Sequence, residues 1–542
     1  MPVVRISLRR FTKMVGADRA TILDRIPYIG LDIESVEGDI LRVEYSPNRP
    51  DFGTDFGIAR ALRGLLGKEV GLPAYGIGPA TIDVTVDPRL AGVRPYISCA
   101  VATGLSLDDE DVRQIISLQE DLHNGLGRKR KRVAIGLHDF SAVSPPLSYR
   151  AVPSSFSFVP LGSKRKSTIE SILGETQEGR SYGAALPGPL YPVITDSSQT
   201  VLSFPPIING DATKVTAKTT GLFVDVTSTN EAVGADVMAI VSTTLAEAGG
   251  KLKAVKINYK ARSVITPDLE PKELHLDVPL VRRVLGLDLT RAQIGSALAR
   301  SRLGLRGNAA KGAAYRVDLL HPVDLAEEVA LGYGIDRIEP EYPPNKAPGA
   351  LHQFQEFLDA SAAVMAGSGM LELMTYELVD EATLYGKFGR SSEHKIAVLD
   401  PKSTGHSVLR DSLLPTLFGA LSSNVKSDYP QRVFELGRVY SRSKKVSEGW
   451  RLGCLVAHSS SSFSEAKMYL DAFCRIMRRF EPASQEAKHW AFSEGRSARV
   501  RAGSEILGHV GEFRPDVIDA FGLNVPVSGF EVDLSILHKL LK

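Results

Sequence analysis

Cysteine is scarce. Cys99, Cys454 and Cys474 are the only three among 542 residues, with no C-x-x-C pair. An odd and widely spaced set argues against a disulfide framework or a zinc knuckle, and for three small apolar side chains kept reduced in a cytoplasmic setting. Long apolar runs are also missing: no stretch approaches the roughly 18 residues of a membrane helix. The segment 1–10 alternates like a strand and lacks the apolar centre of a leader peptide. Nor is there an excess of one charge. The 65 Lys and Arg against 63 Asp and Glu leave a formal +2, which rules out a supercharged nucleic-acid binder while allowing a local basic patch. A hydrophobic share of 43 % excludes a disordered chain. No serine elbow, Walker loop or H-E-x-x-H is present, and no internal repeat.

What is there is a long chain punctuated by Pro and Gly, with a length that predicts three to five domains. Four blocks emerge: 1–85, 92–258, 266–342 and 350–542. The first closes in the turn formers 71–79. Inside it, Asn48-Arg-Pro-Asp51 reads as a turn and 55–66 as a helix with Ile58 and Leu62 on one face. The second is mostly short strands, at 133–137, 193–195, 201–204 and 222–227, followed by a helix over 230–248 that Gly249 and Gly250 stop. The third offers two short helices, 278–285 and one opened by the capping box Thr290-Arg-Ala-Gln293. A strand at 315–320 and a helix from Pro322 to Gly334 follow, an order suggesting a winged-helix-like unit. The fourth opens with an amphipathic helix on which Phe354, Phe357, Leu358, Ser361 and Met365 share a face. Strands are expected there at 371–378, 396–399, 432–439 and 452–456. The fold class expected is multidomain α+β.

Three features could carry chemistry. Asp324, Glu327 and Glu328 stand at i, i+3 and i+4 of the helix that Pro322 begins, and Asp318 lies on the segment leading in. All-oxygen ligands suit a hard cation such as Mg2+; equally, acidic residues suit the dipole of a helix start. Arg128, Lys129, Arg130, Lys131 and Arg132 form a run of five cations, which reads either as a phosphate contact or as a solvated loop. Asp225 and Thr227 alternate onto one side of a strand; with Ser203 and Asn209 they could line a pocket, or they could cap turns. His138 and Asp139 are adjacent but have no identifiable nucleophile.

Several stretches carry a resemblance in order: Tyr45-Ser-Pro-Asn-Arg-Pro-Asp51, Val133-Ala-Ile-Gly-Leu-His-Asp139, Phe204-Pro-Pro-Ile-Ile-Asn-Gly210 and Leu222-Phe-Val-Asp-Val-Thr227. They continue with His321-Pro-Val-Asp-Leu-Ala-Glu-Glu328, Val408-Leu-Arg-Asp-Ser-Leu-Leu-Pro415, Phe434-Glu-Leu-Gly437 and Gly511-Glu-Phe-Arg-Pro515. Together they resemble the phenylalanine–tRNA ligase β-subunit family in its archaeal and eukaryotic form. That resemblance implies an N-terminal α/β domain (1–85), a B3/B4-like editing domain (92–258) and a small Mg2+-binding, winged-helix-like B5 domain (266–342). A class II synthetase-like, non-catalytic core with an antiparallel sheet (350–542) follows. It implies Mg2+, shared with an α subunit, on Asp318, Asp324, Glu327 and Glu328. It also implies editing of Tyr-tRNA(Phe) around Asp225 and Thr227, with Ser203 and Asn209 as further candidates, and tRNA(Phe) as a partner that Arg128–Arg132 are candidates to touch.

The last block departs from a competent class II core. Arg432-Val-Phe-Glu435 imitates the arginine motif that holds an α-phosphate, but Gly529-Phe-Glu-Val-Asp533 has no arginine where a γ-phosphate clamp belongs. The expectation is therefore that ATP, a substrate of the complex, is used in the α subunit of a cytoplasmic α2β2 heterotetramer. Two other readings stay open: a free-standing deacylase of mischarged tRNA, and a structural subunit whose editing pocket has decayed. A class II-like block of nearly 200 residues is superfluous to the first of these.

Overall fold

The computed structural model describes residues 2–216, 218–343, 347–478 and 481–540. They form two compact units, Met1–Tyr342 and Pro343–Lys542. Among the described residues no helix is long and apolar enough to cross a membrane.

The first unit begins with a three-stranded sheet in which Ile40–Glu44 lies between Val3–Ser7 and Asp32–Glu37. Both pairings are antiparallel, so this block is α+β rather than the α/β expected. The opening strand also stops earlier than its alternation suggests. Ser7 caps the helix Leu8–Val15, whose Leu8, Phe11 and Val15 turn inward, because an N-cap hydroxyl satisfies amide groups that the first helical turn leaves free. The helix Asp55–Leu65 covers the sheet, as its spacing predicts.

An eleven-stranded sheet dominates the unit. Its path runs Ile208–Asn209, Val201–Phe204, Tyr191–Thr195, Leu147–Val152, Asp83–Val86, Lys251–Asn258, Tyr96–Thr103, Gly221–Ser228, Val133–Asp139, with Ser263–Thr266 and Ile77–Gly78 also paired to Lys251–Asn258. Asp83–Val86 is parallel to both neighbours. Leu222, Val224 and Val226 face the helix Glu231–Glu247 and form one core with Val237, Met238 and Val241. The alternate residues of the strand, Phe223, Asp225 and Thr227, face the other way.

A third sheet places Ala309–Gly312 between Lys272–His275 and Gly304–Arg306, beside the helices Val278–Leu285, Arg291–Arg300 and Pro322–Tyr333. The strand expected at 315–320 is irregular backbone. Arg316 accounts for it: its amide closes a turn onto the Ala313 carbonyl, and its side chain folds back to Asp318 two residues on. The hairpin of Gly304–Arg306 and Ala309–Gly312 supplies the sheet instead.

The second unit is built on a seven-stranded sheet: Leu371–Glu372, Gln431–Arg442, Val446–Ala457, Val527–Asp533, Glu505–Phe513, Phe492–Ala502, Ala483–Glu486. All its pairings are antiparallel except that of Leu371–Glu372. Period-two alternation sends Phe434, Leu452, Cys454 and Phe530 to the helices Gln353–Gly367 and Phe463–Arg478, and Val433 and Leu455 to the helix Leu414–Ser423. The strand expected over 371–378 divides between two sheets, Leu378–Val379 joining a small one with Val408–Leu409 and Ile396–Ala397. All three cysteines are buried free thiols.

Candidate functional site

Asp225 sits in the middle of Gly221–Ser228, opposite Cys99 on one neighbouring strand and Gly136 on the other. It is 1 % exposed. Its carboxylate forms part of the wall of a chamber of about 300 Å³, shared with Ser203, Asn209, Gln119, Glu120, His123, Arg130 and Glu178. Ser203 and Asn209 are cross-strand partners on Val201–Phe204 and Ile208–Asn209, so one hairpin delivers both. Ser203 is 2 % exposed, and its Oγ is buried with no hydrogen-bond partner among the described residues. A buried hydroxyl left unsatisfied costs about 1–3 kcal/mol, which makes this one a natural receiver for a ligand.

Thr227 does not reach the chamber. Its Oγ1 accepts from Arg94 Nε at 2.9 Å, and its carbonyl accepts from Nη2 at 2.8 Å. Arg94 is itself buried, and burial lowers its guanidinium to about 10. Thr227 and Arg94 thus brace the strand behind Asp225. Sequence alone reads Asp225 and Thr227 as equivalents, because period two places them on one face; only the distant Arg94 separates their roles.

The helix Asp109–Asn124 contributes a charged wall that the sequence reading missed. The amide of Ile135 donates to His123 Nε2 at 2.8 Å. The other ring nitrogen, Nδ1, therefore carries the hydrogen and donates to Glu120 Oε1 at 3.2 Å. Burial lowers the pKa of His123 and keeps the ring neutral. Arg130 donates to the same Glu120 oxygen at 2.8 Å and to the Ile207 carbonyl at 3.1 Å, with its guanidinium 4.4 Å from the Tyr182 ring. Glu120 and His123 stand at i, i+3, and that spacing on an amphipathic helix was the available signal.

The run Arg128–Arg132 is consequently not one patch. Arg128, Lys129 and Arg130 adopt left-handed backbone, with φ of 48°, 55° and 63°. That turn carries Arg130 inward while Arg128, Lys129 and Lys131 remain exposed and Arg132 is half-buried.

The four carboxylates at the start of Pro322–Tyr333 do not converge. Arg316 lies between two of them, its Nη2 2.5 Å from Glu328 Oε1 and 2.7 Å from Asp318 Oδ2. Arg49 approaches both at 3.9 Å. Asp324 accepts the amides of Leu320 and His321, both at 2.7 Å, and Glu327 is exposed. Among the described residues no group of three or more His, Cys, Asp or Glu side chains is disposed to hold a metal ion. This donor set does not fit Mg2+ as it stands: its two inward carboxylates already neutralise a guanidinium, which a dication would meet as a like charge.

In the second unit, Glu435 is buried and accepts from Arg410 Nη1 at 2.7 Å and Thr375 Oγ1 at 2.6 Å. Arg432 lies 3.7 Å from Glu465. Glu531 accepts from Ser412 Oγ at 2.5 Å and from the Leu413 amide. The phosphate-holding arginine of the class II pattern is thus faced by an acid, and an acid stands on the strand where a second cation would be needed.

Residues 338–534 match the family model for the phenylalanyl-tRNA synthetase beta chain CLM domain, and residues 274–335 that for the tRNA synthetase B5 domain. The chain is 40 % identical to the phenylalanine–tRNA ligase beta subunit of Archaeoglobus fulgidus, over 99 % of its own length and 98 % of the relative. It is 38 % identical to that of Methanosarcina acetivorans, over 99 % of each. Among solved structures it resembles an N-terminal fragment of the phenylalanyl-tRNA synthetase beta-subunit from Pyrococcus horikoshii. The TM-score is 0.59 at 34 % identity, over 61 % of this chain and 99 % of the fragment.

Proposed function

Because the chain belongs to the phenylalanine–tRNA ligase β-subunit family, we propose that its own chemistry is hydrolysis of mischarged Tyr-tRNA(Phe) in the chamber around Asp225. Activation of phenylalanine with ATP then takes place in an α subunit, within a cytoplasmic α2β2 assembly. The blocks 1–85, 92–258, 266–342 and 350–542 serve in turn as N-terminal domain, editing domain, B5 domain and class II-like scaffold.

What supports this reading is the Ser203 Oγ, without a partner among the described residues, in a chamber that the buried Asp225 also lines. A phenylalanine site rejects tyrosine only modestly, since the error merely adds a hydroxyl; a site built to hydrogen-bond that hydroxyl discriminates far better. Ser203 supplies such a partner, left unsatisfied by a phenylalanyl ester. Asp225 accepts a hydrogen bond from the substrate amine or hydroxyl, and Asn209 closes the same hairpin. Water then attacks the aminoacyl carbonyl, the ester C–O bond breaks, and tyrosine and a free tRNA hydroxyl leave. Arg128, Lys129 and Lys131 are the exposed cations proposed to meet the tRNA backbone. The Mg2+ implied for the family would need ligands from the α subunit, and no step of the hydrolysis passes through it.

Single-turnover release of tyrosine from Tyr-tRNA(Phe) by the assembled ligase tests the proposal. Asp225→Ala is expected to slow release by about 10²-fold or more, with aminoacylation unchanged. Equal rates for Asp225→Ala and wild type would exclude the assignment.

A further inference from the structure

His138 finds its acid 87 residues away rather than in its neighbour Asp139. Asp139 is committed elsewhere: its Oδ1 accepts from the amide of Ser141 at 2.9 Å, and Oδ2 accepts from Thr219 Oγ1 at 2.7 Å. His138 is fully buried, and both its ring nitrogens are engaged. Nε2 lies 2.8 Å from Asp225 Oδ2, and Nδ1 lies 2.8 Å from Thr213 Oγ1. A carboxylate can only accept, so Nε2 carries the hydrogen; in the neutral imidazole Nδ1 is then the acceptor and takes the hydrogen of the Thr213 hydroxyl.

Gly136 makes this contact possible. It stands in register with Asp225, and a Cβ there would lie 2.1 Å from Asp225 Oδ2 and 2.7 Å from His138 Nε2. The missing side chain is the space in which the pair meets. Thr213 belongs to the short turn Asp211–Thr213 and borders a second, largely apolar chamber of about 330 Å³, lined among others by Val112, Ile115, Leu137 and Leu222. A buried chain Thr213–His138–Asp225 therefore runs from the wall of one chamber to that of the other.

We propose that His138 is a positioning residue for the deacylation site. Its Nε2–H fixes one carboxylate oxygen of Asp225 and so presents the other to the substrate; Thr213 holds the tautomer, and Gly136 gives the room. The proposal rests on the editing reading above. It follows from the rule that a group which orients a working side chain influences the rate through that side chain's geometry.

The test is tyrosine release from Tyr-tRNA(Phe) by the assembled ligase, with aminoacylation of tRNA(Phe) as the control for folding and assembly. His138→Phe, a ring without nitrogens, is expected to slow release about 10- to 100-fold. His138→Gln, whose amide reaches the Nε2 position, should recover most of that loss. If His138→Phe does not fold, the near-isosteric Thr213→Val keeps the question open to measurement: it should slow release several-fold, with Thr213→Ser within twofold of wild type. Wild-type rates in both His138→Phe and Thr213→Val would overturn the proposal. So would equal losses in the Gln and Phe variants together with equal losses in Ser and Val, since a merely structural role would not distinguish them. A wild-type ligase that releases no tyrosine would overturn the editing reading and this one with it.

Discussion

Asp51 is a carboxylate with 2 % exposure held by three arginines. Arg49 donates to both its oxygens at 2.9 and 3.0 Å, and Arg60 Nη2 donates to Oδ2 at 3.2 Å. Arg49 stacks 3.9 Å over Phe52 and Arg60 3.5 Å over Tyr315, so both cations are covered as well as paired. Burial works to raise the Asp51 pKa, but Arg49, Arg60 and Arg316 outweigh it and hold the carboxyl at about 2, below its ordinary 3.8. Between those values the unfolded chain binds more protons than the folded one. The stability Asp51 provides is therefore present above about pH 4 and lost as pH falls toward 2. Asp51→Asn should cost about 3–5 kcal/mol at pH 7, because it leaves buried cations uncompensated. The gap to wild type in urea denaturation should narrow toward pH 2. EDTA should leave both midpoints unchanged, because Asp318 and Glu328 are satisfied by Arg316; a chelator-dependent midpoint would contradict that arrangement. At this scale the sequence offered candidate residues and was silent about their partners. Strand alternation put Asp225 and Thr227 on one face, and Ser203 and Asn209 were offered only as polar strand ends, whereas Arg94 and His138 act across 133 and 87 residues, and no local pattern encodes such pairings.

Among the elements, those with strong periodicity or cap chemistry came out within a residue or two. The helix Arg291–Arg300 begins at the capping box of Thr290 and Gln293, and Glu231–Glu247 is capped by Asn230 and ends before Gly249 and Gly250. The hairpin of Gly304–Arg306 and Ala309–Gly312 was not legible. Its strands hold Gly, Ala, Leu, Arg and Lys with no β-branched residue, so propensity argued against it. Gly307, at φ 57°, makes the turn. A different glycine sets the crossing of two helices: a Cβ on Gly332, in Pro322–Tyr333, would lie 2.0 Å from the Ala297 carbonyl of Arg291–Arg300. Gly332→Ala gains helix propensity but must separate the helices, and should lose about 1–3 kcal/mol of stability. Thermal unfolding of the chain would show it; an unchanged or raised midpoint would mean that the crossing relaxes without cost.

For the whole molecule, the two units carry different burdens. In the second, Glu435 is committed to Arg410 and Glu531 to Ser412 and Arg451, and the segment 529–533 has no arginine to clamp the γ-phosphate of a nucleoside triphosphate. The chain alone is therefore expected to catalyse no ATP–pyrophosphate exchange, and exchange should appear when the α subunit is added. Robust exchange by the lone chain would overturn the division of labour. The near-zero net charge is compatible with the proposed tRNA contact: the five-cation run is broken up by Arg130 turning inward to Glu120 and Ile207, which leaves the exposed Arg128, Lys129 and Lys131 as a local patch. Composition could exclude membrane-spanning helices and a strongly basic binder. It could not reveal that the eleven-stranded sheet of the first unit recruits Ile77–Gly78, Asp83–Val86 and Ser263–Thr266 from outside the 92–258 stretch, since short strands carry little signal until their neighbours are known.

The cluster around Asp51 also imposes an order in time. Its cations and acid at 49–60 emerge during synthesis about 265 residues before Arg316 and Glu328 do. At roughly 5–20 residues per second, that delay is on the order of tens of seconds. Throughout it Arg49, Asp51 and Arg60 have one another but not the ring of Tyr315 or the ion pairs of Arg316. The beginning of the first unit therefore waits on the ribosome for its end. A translational pause placed between them would prolong the interval in which a nascent chain carries charges it cannot yet bury.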